Sequence, residues 1–141
     1  MSRIFFDTNL FIYFIEDKDE RSARVGGILE RMSERRDELL SSTLTLAEVL
    51  AKPFASGDVA LADRYEKLLT APGVSLLPFD KSAARIYARL RNDKTLKAPD
   101  AIQLACAAAG RCDLFITNDD RLSRRIVPGI QFIASLDRAM V

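Results

Sequence analysis

Four acidic residues stand where carboxylates can work together: Asp7, Glu48, Asp100 and Asp119. Asp7 directly follows the apolar run Ile4-Phe5-Phe6, and Asp119 closes the run Leu114-Phe115-Ile116-Thr117-Asn118. Asp100 follows Ala98-Pro99 at the start of an apolar helix, and Glu48 lies inside another helix. Each has an ordinary explanation when taken singly. Asp7 suits a turn or a helix N-cap, and Thr45-Leu46-Ala47-Glu48 matches a capping box. Asp100 complements a helix dipole, and Asn118-Asp119-Asp120 is a turn in which either acid could be the functional one. In combination they point elsewhere, because strand ends and helix starts of a parallel sheet lie along one edge. Four carboxylates in one crevice repel one another, which raises their pKa values and costs stability. A hard divalent cation, Mg²⁺ or Mn²⁺, resolves that conflict through oxygen ligands. Such a cation can acidify a water, align it for in-line attack on phosphorus and neutralise the phosphate oxygens. Thr8, Asn9, Thr117 and Asn118 flank the acids, with hydroxyls and amides able to orient them.

Composition removes several competing chemistries. The 141 residues include no histidine, which excludes His-based acid–base catalysis, Ser-His-Asp triads and His-rich zinc sites. The two cysteines, Cys106 and Cys112, are too few for a disulfide scaffold and match no zinc spacing. Cys106 sits among alanines, as a small core residue would. With 21 basic and 20 acidic side chains the formal charge is +1, so nucleic-acid binding must come from local Lys and Arg patches. Reduced thiols and the absence of a signal segment point to the cytoplasm. The longest apolar run, Leu10 to Ile15, is too short to span a membrane.

The elements that must position the acids follow from periodicity. Arg3 to Phe6, Leu39 to Ser42, Val74 to Phe79, Leu114 to Thr117 and Ile130 to Ile133 read as short strands. Helices are expected from Leu10 to Glu16, Ser22 to Arg35, Thr43 to Lys52 with a stop at Pro53, after Gly57-Asp58, after Asp80, and from Pro99 to Ala109. A helix starting at Ser42 or Thr43 puts Glu48 on a face with Leu44 and Ala51, where a carboxylate needs a partner. Alternating strands and helices predict one α/β domain over residues 1–141, a central parallel sheet flanked by helices on both faces.

The segments "IFFDTNLFIYF", "LTLAEVLAKP", "KAPDAIQLACAAAG" and "LFITNDDRL" resemble, in this order and over residues 3 to 133, a PIN-domain protein. In length the chain is similar to the VapC toxins of bacterial toxin–antitoxin pairs. The resemblance implies a Rossmann-like fold and an Mg²⁺- or Mn²⁺-dependent endoribonuclease, with Asp7, Glu48, Asp100 and Asp119 at the family's acidic positions. Thr8 and Asn118 fall at positions that support the metal site there. It further implies a homodimer and a cognate antitoxin protein. For an RNA substrate, Lys52, Lys94, Lys97 and Arg121 are the candidate phosphate contacts, with Arg124 and Arg125 beside them. Phe11, Phe14 and Ile15, with Tyr65 and Leu69 opposite, either line an antitoxin groove or fill the core. Three alternatives stay open. One is an antitoxin-independent RNA-processing nuclease of the same family. Another is a non-catalytic RNA- or protein-binding module. The third is a haloacid-dehalogenase-type phosphotransferase with Asp7 as nucleophile, although Asn9 stands where that chemistry wants a second acid.

Overall fold

Strand β1 (Arg3–Phe6) alternates its side chains between two cores: Ile4 and Phe6 face one, Phe5 the other, and all three are buried. A strand covered on both faces reads as a continuous apolar run, and such strands belong in the middle of a parallel sheet. In the computed structural model, which describes residues 1–139, β1 is the central strand of five. The others are β2 (Glu38–Ser42), β3 (Val74–Leu77), β4 (Leu114–Thr117) and β5 (Phe132–Ser135). Their order is β3-β2-β1-β4-β5, and every pair is parallel. Phe5 stands opposite Phe115 in the β1–β4 register, and their rings stack with centroids 4.9 Å apart.

Among the described residues seven α-helices cover the sheet. On the side of Ile4 and Phe6 pack α1 (Thr8–Glu16), α2 (Glu20–Arg35), α3 (Thr43–Ser56) and α4 (Val59–Leu69). On the side of Phe5 pack α5 (Lys81–Leu90), α6 (Ala98–Ala109) and the single turn α7 (Asp120–Ser123), which contributes Leu122. Helix α6 is the most enclosed, with Ala101, Leu104, Ala105, Cys106, Ala107 and Ala108 all buried. Small side chains let it lie close against the sheet. Both thiols are free and buried, and burial pushes Cys106 up to about 11 and Cys112 to about 12. Among the described residues no helix is long and apolar enough to cross a membrane.

Several boundaries differ from the sequence expectation. Helix α3 does not stop at Pro53 but runs one turn further, to Ser56. Proline gives up its own N–H and crowds the turn before it, but the Pro53 carbonyl still accepts the amide of Asp58 at 2.9 Å, and the helix ends at Gly57 in a left-handed conformation, φ 72°. Strand β3 ends at Leu77 because Pro78 cannot donate to the ladder. Strand β5 begins at Phe132 rather than Ile130, since the Ile130 amide turns back to the Val127 carbonyl at 3.0 Å. Helices α1 and α2 begin two residues earlier than expected, capped by Asp7 and Asp19. Phe11, Tyr65 and Leu69 are fully buried in the core, and Phe14 and Ile15 are half-buried against it.

Gly129 makes the turn into β5 with φ 100°, and a Cβ there would stand 2.7 Å from the Ala108 carbonyl oxygen. Gly57 shares the left-handed backbone but has open space around it. Gly129→Ala is therefore expected to destabilise by about 2–4 kcal/mol, and Gly57→Ala by only about 1 kcal/mol. Urea unfolding of both variants checks the order; equal losses would mean that the Ala108 contact is relieved at little cost.

Candidate active site

The strand order changes direction at β1, with β2 on one side and β4 on the other, and this opens a crevice beyond the carboxyl ends of the strands. A cavity of about 620 Å³ lies there, lined by Asp7, Glu48, Asp100 and Asp119 together with Thr8, Asn9, Asn118, Asp120 and Arg121. The fold thus gathers all four acids singled out in the sequence. Their cap roles prove compatible with that placement. Asp7 is the N-cap of α1, and Asp119 is the N-cap of α7, accepting the amides of Arg121 and Leu122 at 2.9 and 3.3 Å. Asp100 sits in the first turn of α6, where its charge meets the positive end of the helix.

Asp7 is the buried member, only 9% exposed. Its Oδ1 accepts the Thr8 amide at 2.9 Å and its Oδ2 the Thr117 hydroxyl at 2.8 Å. Burial raises its pKa to about 6; those two hydrogen bonds oppose the rise, and the charges of Asp100 and Glu48 add to it. Asp100 is raised too, chiefly by burial, then by Asp119 and Glu48, while Lys97 and Arg125 pull it down. The crevice therefore concentrates negative charge that water alone does not relieve.

Glu48 is exposed to the crevice, not lodged on an apolar face. The N-cap of α3 is Ser42, whose Oγ accepts the Thr45 amide at 3.2 Å, so the capping box at Thr45 does not form. Glu48 is instead held by the Thr8 hydroxyl, which donates to its Oε1 at 2.7 Å. Behind Thr8 stands a residue that the sequence reading passed over. Gln103 is 2% exposed inside the apolar helix α6. Its Nε2 donates to Thr8 Oγ1 at 2.9 Å and Thr45 Oγ1 at 2.8 Å, and its Oε1 accepts from Ser42 Oγ at 2.5 Å. The signal was a lone amide three residues after Asp100 in an otherwise apolar run, since a buried amide needs partners.

Asn9 donates to Asn118 Oδ1 at 3.2 Å, and Asn118 to the Tyr13 hydroxyl at 2.9 Å, so these two residues bind each other and α1 rather than an acid. Of the basic candidates, Arg121 lines the crevice and Lys97 an adjoining cavity. Lys52 and Lys94 line neither; Lys52 lies 3.8 Å from Glu16. Arg125 is committed to Asp93 at 2.7 Å, and Arg124 is exposed at the end of α7.

The donor set is all oxygen, which suits a hard divalent cation. Among the described residues the carboxylates face one cavity without closing into a compact cluster of three or more metal-ligating groups.

The family model for the PIN domain matches residues 4–126. No curated protein sequence matches the chain. Among solved structures, the chain is similar to VapBC2 from Rickettsia felis bound to a DNA fragment from its promoter (TM-score 0.69, 17% identity, 94% of this chain and 98% of that one). It is also similar to a toxin–antitoxin complex from Klebsiella pneumoniae (TM-score 0.66, 23% identity, 90% and 94%). A third is FitAcB from Neisseria gonorrhoeae (TM-score 0.68, 20% identity, 96% and 99%). At these identities the likeness is one of fold.

Two outcomes follow for stability. Because the folded pKa of Asp7 is raised from its ordinary value of 3.8 to about 6, its contribution is fully present below pH 3.8 and is lost as the pH rises through 6. Relative to wild type without divalent metal, Asp7→Asn should gain up to about 3 kcal/mol between pH 4 and 7.5. Melts at the two pH values decide it, and a constant offset would show that Asp7 is not strained by its burial. Gln103→Leu removes one hydrogen bond from each of three hydroxyls and should cost about 1–3 kcal/mol; a loss under about 0.5 kcal/mol in urea unfolding would show that the network carries no weight.

Proposed function

Starting from the fact that this chain belongs to the PIN-domain family, we propose that it is a divalent-metal-dependent endoribonuclease that hydrolyses RNA phosphodiester bonds in the acidic crevice, and that it acts as the toxin of a toxin–antitoxin pair. The observation that carries the reading is the convergence of Asp7, Glu48, Asp100 and Asp119 on one crevice, with burial and mutual repulsion raising Asp7 and Asp100. Histidine is absent, so this site has no imidazole to move protons.

Asp7, Asp100, Asp119 and Glu48 would hold the ion, Mg²⁺ or Mn²⁺, and Asp120 stands ready on the exposed rim as an alternative to Asp119. The ion supplies Lewis-acid activation and charge neutralisation at the phosphodiester. The chain's own residues do the positioning. Thr117 turns one Asp7 oxygen into the strand end and leaves the carboxyl at the crevice wall. Thr8 fixes one oxygen of Glu48 and leaves the other unbonded by Thr8, able to take a proton from an attacking water. Water adds to phosphorus, one P–O ester bond breaks, and the leaving oxygen takes up a proton.

The toxin role is supported by fold-level neighbours that are themselves toxin–antitoxin assemblies. It implies a cognate antitoxin protein as partner, a homodimer and an RNA substrate. The haloacid-dehalogenase alternative has no support from the family match.

Incubation of purified protein with end-labelled RNAs, with Mg²⁺ or Mn²⁺ and with EDTA, tests the reading. Cleavage is expected only with metal, and Asp7→Asn or Asp100→Asn should reduce the rate at least ~100-fold. Asp119→Asn should fall as far, and Asp120→Asn should stay within a few-fold of wild type. Survival of both structured and unstructured RNAs with either metal would overturn the nuclease, and metal-independent cutting would overturn the carboxylate site.

A further inference from the structure

A second cavity, of about 170 Å³, adjoins the acidic crevice and shares Asp100, Asp119 and Arg121 with it. Three cations meet there: Lys97 from the segment before α6, Arg121 in α7, and Arg125 just beyond α7. Arg125 is fixed, its Nη1 donating to Asp93 Oδ2 at 2.7 Å and its Nη2 to Thr95 Oγ1 at 3.2 Å. This clamp fastens residues 93–95, and with them the approach to Lys97, to the end of α7. Among the described residues Lys97 and Arg121 have no ion-pair partner, whereas Arg3, Arg21, Arg24 and Arg35 are each paired.

Three features define what would fit. The volume lies far below the ~300–1,000 Å³ typical of pockets for drug-sized ligands, which favours a single small group. No aromatic side chain lines the cavity, so it offers no surface on which a base could stack. The charge is mixed: two carboxylates shared with the crevice stand against three cations. Once the carboxylates are neutralised by a cation in the crevice, an excess of positive charge faces a small anion. Lys97 and Arg125 already act on Asp100 electrostatically, so the two cavities lie within reach of one another's charge.

We propose that this cavity is a phosphate subsite that receives the RNA phosphate next to the one being cut. Lys97 and Arg121 make the contacts, and Arg125 acts as a positioning residue that keeps the Lys97 segment in place. The proposal rests on the nuclease reading of the crevice and specifies its substrate: a strand with a phosphate flanking the scissile bond, recognised by charge and not by base.

The test compares a labelled dinucleotide containing one phosphodiester with the same dinucleotide bearing a 5′- or a 3′-phosphate, in Mn²⁺. For wild type, one phosphorylated form is expected to have kcat/KM about 10- to 100-fold above the plain form, and which one it is reads the direction of the strand. In Lys97→Gln/Arg121→Gln that ratio should shrink to within about twofold. Lys97→Arg should keep it, and Arg125→Gln should lower it through KM more than kcat. A second readout needs no turnover. Fluorescence anisotropy of a 5′-phosphorylated single strand should show a salt slope shallower by about one to two for the double variant. Equal cleavage of all three dinucleotides by wild type, or an unchanged ratio in the double variant, overturns the subsite alone. If wild type cleaves none of the dinucleotides and no longer RNA, the nuclease reading fails and the subsite falls with it.

Discussion

Burial of the Asp7 carboxyl at the end of β1 is the constraint around which the crevice is built. A carboxylate in such a place is held against its preference for water, and two hydrogen bonds from Thr8 and Thr117 offset only part of the penalty. Those hydrogen bonds come from the two elements that β1 forces together. Thr8 opens α1, which must leave β1 at once, and Thr117 ends β4, its parallel neighbour. The stacked Phe5 and Phe115 rings lock the register of that pair, so Thr117 cannot slip relative to Asp7 without breaking the core below it.

The polar network behind Glu48 has a single direction. The Thr45 amide donates to Ser42 Oγ, which leaves the Ser42 hydrogen for Gln103 Oε1. The Gln103 amide then supplies its two hydrogens to Thr8 and Thr45. Since the single Thr8 hydrogen goes to Glu48, the 2.9 Å contact between the two threonines must run from Thr45 to Thr8. Every hydroxyl is satisfied only while Glu48 accepts. The arrangement joins α1, α3, α6 and the end of β2 behind one carboxylate, and a fully satisfied network of this kind favours one arrangement of its members.

Charge is distributed with the same economy of position. Arg3, Arg21, Arg35 and Arg125 are each tied to an acid, which neutralises their charge locally, and the 21 basic and 20 acidic residues leave a formal charge of only +1. The cations left unpaired at the crevice stand beside Asp100 and Asp119, where negative charge is densest. Opposed charges across one rim leave each sign available to a different part of a phosphodiester substrate: carboxylates toward a metal ion, cations toward the phosphate chain.

Much of this was legible in the sequence. The alternation of apolar runs and helical periodicity specified a parallel α/β sheet covered on both faces. The acids ending apolar strands were recognisable because side chains there have nowhere to go but the ligand edge. The limits of strands and helices are less legible: Pro53 has the look of a stop although its carbonyl serves the next turn, and Ile130 has the look of a strand start although its amide bonds within its own turn. The aromatic residues of α1 and α4 carry no mark of depth in the sequence, and only packing separates the fully buried Phe11 and Tyr65 from the half-buried Phe14. Gln103 stands out locally as a lone amide in an apolar run, but its partners Thr8, Ser42 and Thr45 are distant in sequence and cannot be read from that run. Likewise the choice of Lys97 and Arg121 over Lys52 and Lys94 could not be read from neighbours along the chain. Periodicity and strand-end chemistry are local properties that a sequence by itself determines; hydrogen-bond partners and the direction of a long, flexible cation depend on elements brought together from afar, and only the tertiary structure decides them.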